Sequence, residues 1–236
     1  MSGFPEQLPH GDFVEIFPEV FYVKGQIKIV APETVILTTR SMTIVRSGTD
    51  LTIINSLRLD EDGLVRLDQL GTVKNIVRIG SSHGRDDAFY SDRYSVPVWA
   101  PANFTYSRQP KIQKALRAGP TGPITDAAVL LFESTKTSEA AICLHRHGGI
   151  LMTADSFLNM VKPDEFTDEH SEVLLGQAGF FRPAAIGPGW RSREEPARSD
   201  YDRLLELPFR HLLPGHGEPI LHSAKETLKQ AVEEQF

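Results

Sequence analysis

Short apolar runs rich in β-branched residues recur along most of the chain, and they constrain its fold more than any other feature. "MTIVRSGTDLTIINS", "VKNIVRIGSS", "DAAVLLFES", "EAAICLH" and "GILMTADS" all have this character. Runs of this length, bounded by polar, Gly or Pro residues, are typical of buried strands. "SGTD" predicts a hairpin turn, and "VFYVKGQIKIV" predicts two strands separated by a Lys-Gly turn. The chain is therefore expected to build β-sheets.

Helical segments are predicted at intervals between these strands. "DEDGLVRLDQLG" places three leucines on one helical face and ends at Gly71. "FTDEHSEVLLGQAGF" and "SDYDRLLEL" follow with Thr167 and Ser199 as expected N-caps, and "SAKETLKQAVEEQF" predicts a C-terminal amphipathic helix. "GPGWRSREEPARSD" is expected to be an exposed loop. Sheets covered by helices make an α/β sandwich, and in the absence of a repeat or linker residues 1–236 are predicted to form a single domain.

Charge and cysteine content narrow the class of protein. The net charge of −6 favours neither a nucleic acid nor an anionic membrane as a partner. Cys143 is the only cysteine, so no intrachain disulfide can form. The N-terminus has no basic segment before an apolar stretch, and no apolar run is long enough to cross a bilayer. We therefore expect a cytoplasmic protein with a small-molecule substrate and no nucleic-acid or membrane partner.

Potential metal ligands follow three of the predicted strands. His83 and Asp87 come after "VKNIVRIGSS", Asp155 follows "GGILMTA", and His216 lies in "HLLPGHGEP". Loops at one edge of a sheet can converge because the strands hold their ends rigidly. Imidazole and carboxylate groups are suitable ligands for zinc, iron or manganese, and three or four of them leave a position open for water. The sequence thus predicts a shared metal-binding pocket.

Each of these residues also has a purely structural interpretation. His83 and Asp87 could hold a polar loop together, and Asp155 could cap a turn or a helix. His216 lies between two glycines, which allow the tight backbone turn that brings a side chain to a site, so a functional role is favoured there. The histidines of "HRHGG" alternate as on a strand, but the glycines that follow predict a hairpin turn with exposed histidines rather than ligands.

The two later motifs resemble those of the metallo-β-lactamase superfamily. "ILMTADS" followed much later by "LLPGHGEP" corresponds to the bridging aspartate of that superfamily, here Asp155, and to its last histidine ligand, here His216. The order of hairpin, helix, strand, motif loop and C-terminal helix also agrees, so the resemblance spans nearly the whole chain. It implies an α/β fold of the four-layer αββα sandwich type, with the pocket at one edge of the sheets.

The opening motif of this superfamily, Thr-His-x-His-x-Asp-His, is degenerate in this chain. Read as "SHGRDDA", it keeps the first histidine as His83 and the aspartate as Asp87, whereas Arg85 and Ala88 replace the other two histidines. The superfamily also takes a histidine from a loop before the "AAICL" strand, and "RAGPTGPITDAAVLLFES" contains none. Because arginine has no lone pair to offer and repels a cation, a site for two ions is not expected.

A single divalent ion would instead be held by Asp87, Asp155 and His216, with His83 as an additional ligand. Zinc is expected first, and iron or manganese second. Such an ion would activate water for attack on an ester, thioester, amide or phosphoryl group. Asp87 and Arg85 are expected to take part in catalysis, Arg85 by neutralising Asp155 or by clamping an anionic substrate group. The alternative hypothesis, favoured by the lost ligands, is a non-catalytic binding protein of the same fold without metal.

Overall fold

The computed structural model describes residues 3–102, 104, 110 and 113–236. Its strands are β1 Val14–Phe17, β2 Val20–Ala31, β3 Thr34–Ser47, β4 Asp50–Ile54, β5 Thr72–Val77, β6 Val98–Ala100, β7 Gln113–Ala115, β8 Ala127–Leu131, β9 Ala140–Leu144, β10 Ile150–Met152, β11 Leu158–Met160, β12 Arg182–Ala185 and β13 His211–Leu213. Its helices are α1 Glu61–Leu70, α2 Asp87–Tyr94, α3 Glu169–Gln177, α4 Pro188–Glu194, α5 Arg198–Glu206 and α6 Ala224–Gln235. Within these ranges, no helix combines the length and the apolar character needed to cross a bilayer.

Two sheets form the centre of the molecule. The first has the order β1-β2-β3-β4-β5-β6-β7 and is antiparallel from β1 to β4 and parallel from β4 to β7. The second has the order β13-β10-β9-β8, in which β10 is antiparallel to β9 and parallel to β13. A separate antiparallel pair is formed by β11 and β12.

Three apolar clusters hold four layers together. Between the sheets, residues such as Val45 of the first sheet and Ile142 of the second belong to one buried cluster. The outer face of the first sheet packs against α1 and α2 through Leu64 and Tyr90. The outer face of the second sheet packs against α4, α5 and α6, with Leu228 of α6 fully buried. Helices therefore cover both sheets, as the predicted αββα sandwich requires.

The Lys-Gly turn predicted within "VFYVKGQIKIV" is wrong, because β2 continues without a break through Gly25. A Cβ at Gly25 would lie 2.7 Å from Leu57 Cδ1 and 2.9 Å from His10 Cβ, so glycine allows close packing at this position rather than a turn. The strands β2 and β3 form one long hairpin. This hairpin extends past the rest of the sheet, since β4 pairs with β3 only over Thr43–Ser47.

The four predicted helices correspond to α1, α3, α5 and α6, whereas α2 was not predicted, and two N-caps and one loop differ from the prediction. The N-cap of α3 is Asp168, whose Oδ1 accepts from Ser171 N at 2.8 Å, and not Thr167. The N-cap of α5 is Ala197, so Ser199 lies inside the helix. The segment "GPGWRSREEPARSD" contains α4 and the start of α5 rather than an exposed loop, because Trp190 is buried in the core and anchors α4.

The direction of the strands brings the predicted site residues to one edge. Since β13 runs parallel to β10, the segments that follow these two strands leave the same edge of the second sheet, and they carry His216 and Asp155. The loop after β5 of the first sheet carries His83 and leads into α2. Both sheets therefore contribute to the same region.

Candidate metal centre

The imidazole of His83 is buried and held in place by its own loop and by a neighbouring turn. The backbone N–H of His83 donates to Gly80 O at 3.1 Å, which closes the loop after β5. A Cβ at Gly215 would lie 2.8 Å from His83 Cε1, so the glycine before His216 leaves the space that the ring occupies. His83 is only 4% exposed. Packing therefore fixes the position of this potential ligand.

The orientation of Asp155 depends on Glu139, which precedes β9. Glu139 Oε1 accepts from the backbone N–H groups of Asp155 at 3.0 Å and of Ser156 at 2.8 Å. Glu139 is fully buried, and its burial together with the nearby Asp155 carboxylate raises its pKa well above the ordinary value. Because one side chain binds two consecutive peptide groups, it fixes the turn from which Asp155 projects. Sequence analysis missed Glu139, since one carboxylate before an apolar strand forms no local motif.

The "PGHG" turn that carries His216 is held by backbone bonds from two sides. Ser41 N donates to Gly215 O at 2.8 Å, and Asn159 N donates to His216 O at 3.0 Å. Gly217 has a φ of 87°, and a Cβ at this position would collide with Asn159 O. The glycine is therefore required both by the backbone conformation and by the close approach of β11.

Hydrogen bonds and charges around the three side chains suit metal binding. His216 Nδ1 lies 2.6 Å from Thr39 O, and because a carbonyl oxygen only accepts, Nδ1 is the donor and Nε2 is the nitrogen that faces the other two side chains. Burial lowers the pKa of His83, which keeps its imidazole neutral at pH 7. Burial alone would raise the pKa of Asp155, but the adjacent rings of His83 and His216 hold it below the ordinary value. Asp155 is therefore ionised.

The ligand atoms of these three residues converge. His83 Nε2 lies 3.2 Å from His216 Nε2 and 3.4 Å from Asp155 Oδ1, and His216 Nε2 lies 3.3 Å from the same oxygen. In a tetrahedral site with bonds of about 2.0–2.1 Å, neighbouring ligand atoms are about 3.3–3.4 Å apart. The three atoms therefore have the spacing of one face of a tetrahedron around a single ion.

Asp87 does not join this cluster. It is buried at the start of α2, where Oδ1 accepts from Ser56 Oγ at 2.7 Å and Oδ2 has no hydrogen-bond partner among the described residues. Burial raises its pKa to about 6, although the charge of Arg78 acts in the opposite direction. Within the described ranges, His83, Asp155 and His216 are the group of potential ligands that lie close enough to share an ion. The structure thus groups His83, rather than Asp87, with the other two predicted ligands.

Arg85 also lies apart from the cluster. Its Nη1 donates to Asp86 Oδ1 at 2.8 Å and its Nη2 donates to Glu6 O at 2.5 Å, so it ties the loop to the N-terminal segment. A buried guanidinium group in the wall of the site belongs to Arg40 of β3, which is 3% exposed and lies 3.5 Å from Asp86 Oδ2. Sequence analysis missed Arg40, because the sequence does not indicate whether a single arginine in a strand points toward the site or away from it.

A cavity of about 580 Å³ has the three potential ligands in its wall. Arg40, Ser82 and Arg193 add polar groups, and most of the remaining wall is apolar. This volume is in the range of pockets that hold small molecules. The histidines of "HRHGG" lie elsewhere: His145 is exposed, and His147 stacks on Phe17 with its Nε2 at 3.1 Å from Pro18 O.

No protein-family model and no curated protein matches the sequence. Solved structures match nearly the whole chain. The DIM-1 metallo-β-lactamase exposed to ceftazidime is 13% identical with a TM-score of 0.62, over 98% of this chain and 100% of that chain. The metallo-β-lactamase FIM-1 from Pseudomonas aeruginosa in the mono-zinc form is 11% identical with a TM-score of 0.59, over 98% of both chains. The metallo-β-lactamase from Pontibacter korlensis is 14% identical with a TM-score of 0.60, over 95% of this chain and 99% of that chain.

Identities this low establish the fold and leave the chemistry to the residues of the site. The matches extend over both sheets and their helix layers, which confirms the αββα sandwich predicted from the sequence. The chain therefore has the metallo-β-lactamase fold, and the resemblance seen in its sequence to a divergent protein of that superfamily is confirmed at the level of the fold.

Proposed function

We propose that this protein is a metal-dependent hydrolase whose site holds one divalent ion through His83, Asp155 and His216. The observation that carries the proposal is the mutual spacing of 3.2 to 3.4 Å among their ligand atoms. Two histidines and one carboxylate, with a fourth position open, form a donor set of catalytic zinc sites. The same donors also hold iron at one face of an octahedron, but ligand atoms lie closer together there. Zinc is therefore favoured over iron or manganese.

A zinc ion in this site would lower the pKa of water toward neutrality and polarise the carbonyl or phosphoryl group under attack. The chain itself supplies the orientation and the surrounding charge. Thr39 O fixes the ring of His216, and Glu139 fixes the turn of Asp155. Arg40 puts a buried cation in the cavity wall, where it can stabilise negative charge that develops on a substrate oxygen. The catalytic roles predicted for Asp87 and Arg85 are not part of this proposal, because neither side chain lines the cavity.

A non-catalytic binding protein is the second candidate. It is favoured by the replacement of histidines in "SHGRDDA" and by the absence, from the described part of the chain, of a second group of converging ligand atoms. Such a protein would use the cavity to bind a small molecule without turning it over.

Metal analysis of the protein, purified without added metal or chelator, tests the proposal. We expect about one equivalent of zinc per chain, retained in His147→Ala and lost in an Asp155→Ala, His216→Ala double variant. His147→Ala is the matched control because it removes a histidine outside the cluster. Much less than one equivalent in the wild-type protein, even after dialysis against zinc, would reject the metal site.

Turnover separates the two candidates. Hydrolysis of ester, thioester or phosphodiester probes that disappears with His216→Ala would exclude the non-catalytic protein. The absence of both zinc and hydrolysis of any probe would favour it.

A further inference from the structure

The cavity above the three ligands changes character along its length. One wall is the β2–β3 hairpin, in which Ile29 pairs with Ile36 and Ile27 pairs with Thr38. Side chains on one face of a hairpin recur every second residue, so Ile36, Thr38 and Arg40 of β3 follow one another along the same face. Four residues of strand span about 13 Å. The wall thus runs from isoleucines near the hairpin end to a buried cation beside the metal ligands, and the exposed Lys28 adds a second cation on β2.

A second part of the wall, beside the edge of β3, is also apolar. Leu174 and Leu175 of α3 line the cavity, and Phe180 after the helix adds an aromatic ring. Leu175 is buried and Leu174 is half-buried. Among the described residues that line the cavity, the one carboxylate is the metal ligand Asp155. A ligand with an extended sugar-like part would cover these isoleucines and leucines without forming hydrogen bonds to them. The cations Lys28 and Arg193 also line the cavity, where they could pair with an anionic end of a ligand.

We propose that the substrate is a carboxylic ester or thioester with an unbranched apolar chain, and that this chain lies along the apolar residues of the hairpin and α3. The inference rests on the proposed hydrolase function and adds the class of substrate to it. In the reaction, the oxygen of water forms a bond to the carbonyl carbon and the C–O or C–S bond breaks. The leaving alcohol or thiol takes one proton of the water, and the acid is released as a carboxylate and a proton. The carboxylate forms at the end of the cavity where Arg40 lies.

Chain-length profiles of the zinc-loaded protein test the inference. Two series are compared, p-nitrophenyl esters from acetate to decanoate and alkyl acetates from ethyl to decyl, so that the chain lies on the acyl side in one and on the alcohol side in the other. We expect kcat/KM to rise in at least one series by about fourfold per methylene that enters the cavity, and then to level off. Profiles that are flat in both series, with the short esters still hydrolysed, would overturn the inference and leave the hydrolase function standing.

A pair of adjacent residues provides the matched variants. Ile36 faces the cavity, whereas Val35 lies next to it on the other face of β3 and does not line the cavity. We expect Ile36→Ser to lower the decanoate-to-acetate ratio of kcat/KM by about tenfold or more, and Val35→Ser to keep the ratio of the wild-type protein. Equal changes in the two variants would contradict the assignment of this wall.

A binding measurement keeps the inference testable if no ester is turned over. Calorimetric titration of the zinc-loaded protein should show that decanoate binds far more tightly than acetate, and that Ile36→Ser weakens decanoate binding while Val35→Ser does not. Equally weak binding of the two acids to wild-type protein would overturn the inference, independently of the metal analysis that tests the proposed function.

Discussion

At the residue scale, Glu139 determines how firmly Asp155 is oriented. Its Oε1 accepts from two consecutive backbone N–H groups, and no side chain that lacks an acceptor can replace both bonds. Loss of groups that orient metal ligands costs about 10- to 100-fold in metal affinity. We therefore expect Glu139→Ala to weaken zinc binding by that factor, measured by competition with a chromophoric chelator.

Glu139→Gln is the matched control, because glutamine keeps an acceptor oxygen of the same reach. Burial and the Asp155 carboxylate raise the pKa of Glu139 well above its ordinary value, which favours the uncharged form that the amide resembles. This variant should retain most of the zinc affinity. Equal losses in the alanine and glutamine variants would show that the two backbone bonds are not what orients Asp155.

Asp87 gives a pH-dependent prediction. Its pKa in the folded protein is about 6 against an ordinary value of 3.8, because burial disfavours the charged form. The folded state therefore binds the proton of Asp87 more tightly than the unfolded chain does. Protonation of Asp87 stabilises the folded state fully below the unfolded pKa, and this stabilisation is lost as pH rises through about 6. Between pH 4.5 and 7.5, the free energy of unfolding of the metal-free wild-type protein should fall by about 2 kcal/mol relative to that of Asp87→Asn.

Urea unfolding of both proteins in chelator, at several pH values, measures this difference. A difference in unfolding free energy that stays constant with pH would contradict the raised pKa. The zinc content of Asp87→Asn answers a separate question. We expect it to equal that of the wild-type protein, and its loss would restore Asp87 as a ligand, as the sequence had predicted.

Three of the predicted ligands converge because each follows an apolar strand whose end the sheet fixes in space. The exact side chain that faces the site within a loop could not be predicted in the same way. Asp87 begins a helix and turns inward to Ser56, and Arg85 turns outward to Glu6 O, because the backbone path between β5 and α2 sets both directions. Spacing along the sequence contains no information on that path.

At the element scale, α3 covers an edge that the first sheet leaves open. β4 pairs with β3 only from Thr43 onward, so none of the described strands pairs with the earlier part of β3 on that side. Leu37 N in this part donates to Ser171 Oγ of α3 at 2.8 Å, and Ser171 is fully buried. Unpaired N–H groups on an edge strand are a site for unwanted strand pairing. The contact therefore both protects the edge and holds one wall of the cavity.

We expect Ser171→Ala to lower the free energy of unfolding by about 1–2 kcal/mol, because a buried N–H loses its acceptor. Ser199→Ala in α5 is the control, since it makes the same change of helix propensity at an exposed position. Urea denaturation of both variants measures the difference. If the two substitutions have the same small effect, the hydrogen bond to Leu37 contributes nothing to stability.

Elements with a regular apolar period were predicted well, and elements defined by tertiary packing were not. The hairpin at "SGTD", the helix that ends at Gly71 and the buried face of α6 all follow from local pattern. The helix α4 was expected to be an exposed loop because its seven residues carry two glycine or proline residues and several charges. The burial of Trp190 and of Glu194, which accepts from Thr137 N, explains its order. Gly25 was misread for the same reason, since its close contact with Leu57 is not local.

At the scale of the whole molecule, the three potential ligands come from both sheets. His83 follows β5 of the first sheet, whereas Asp155 and His216 follow β10 and β13 of the second. The resemblance of two sequence motifs was sufficient to predict this arrangement, because the fold dictates which strand ends meet. That residues 1–236 form a single domain remains a prediction.

An ion held by these ligands would link the two sheets and stabilise the folded state, because the unfolded chain does not bring the three side chains together. With free zinc at about 100 times its Kd, binding adds about 2.7 kcal/mol to the free energy of unfolding. For a chain of 236 residues this corresponds to a rise in Tm of about 5–10 °C. Thermal unfolding with zinc and with chelator measures the rise, which should vanish in His216→Ala and persist in His147→Ala. The same rise in His216→Ala would mean that zinc stabilises the protein from another site, and the centre proposed between the sheets would then be wrong.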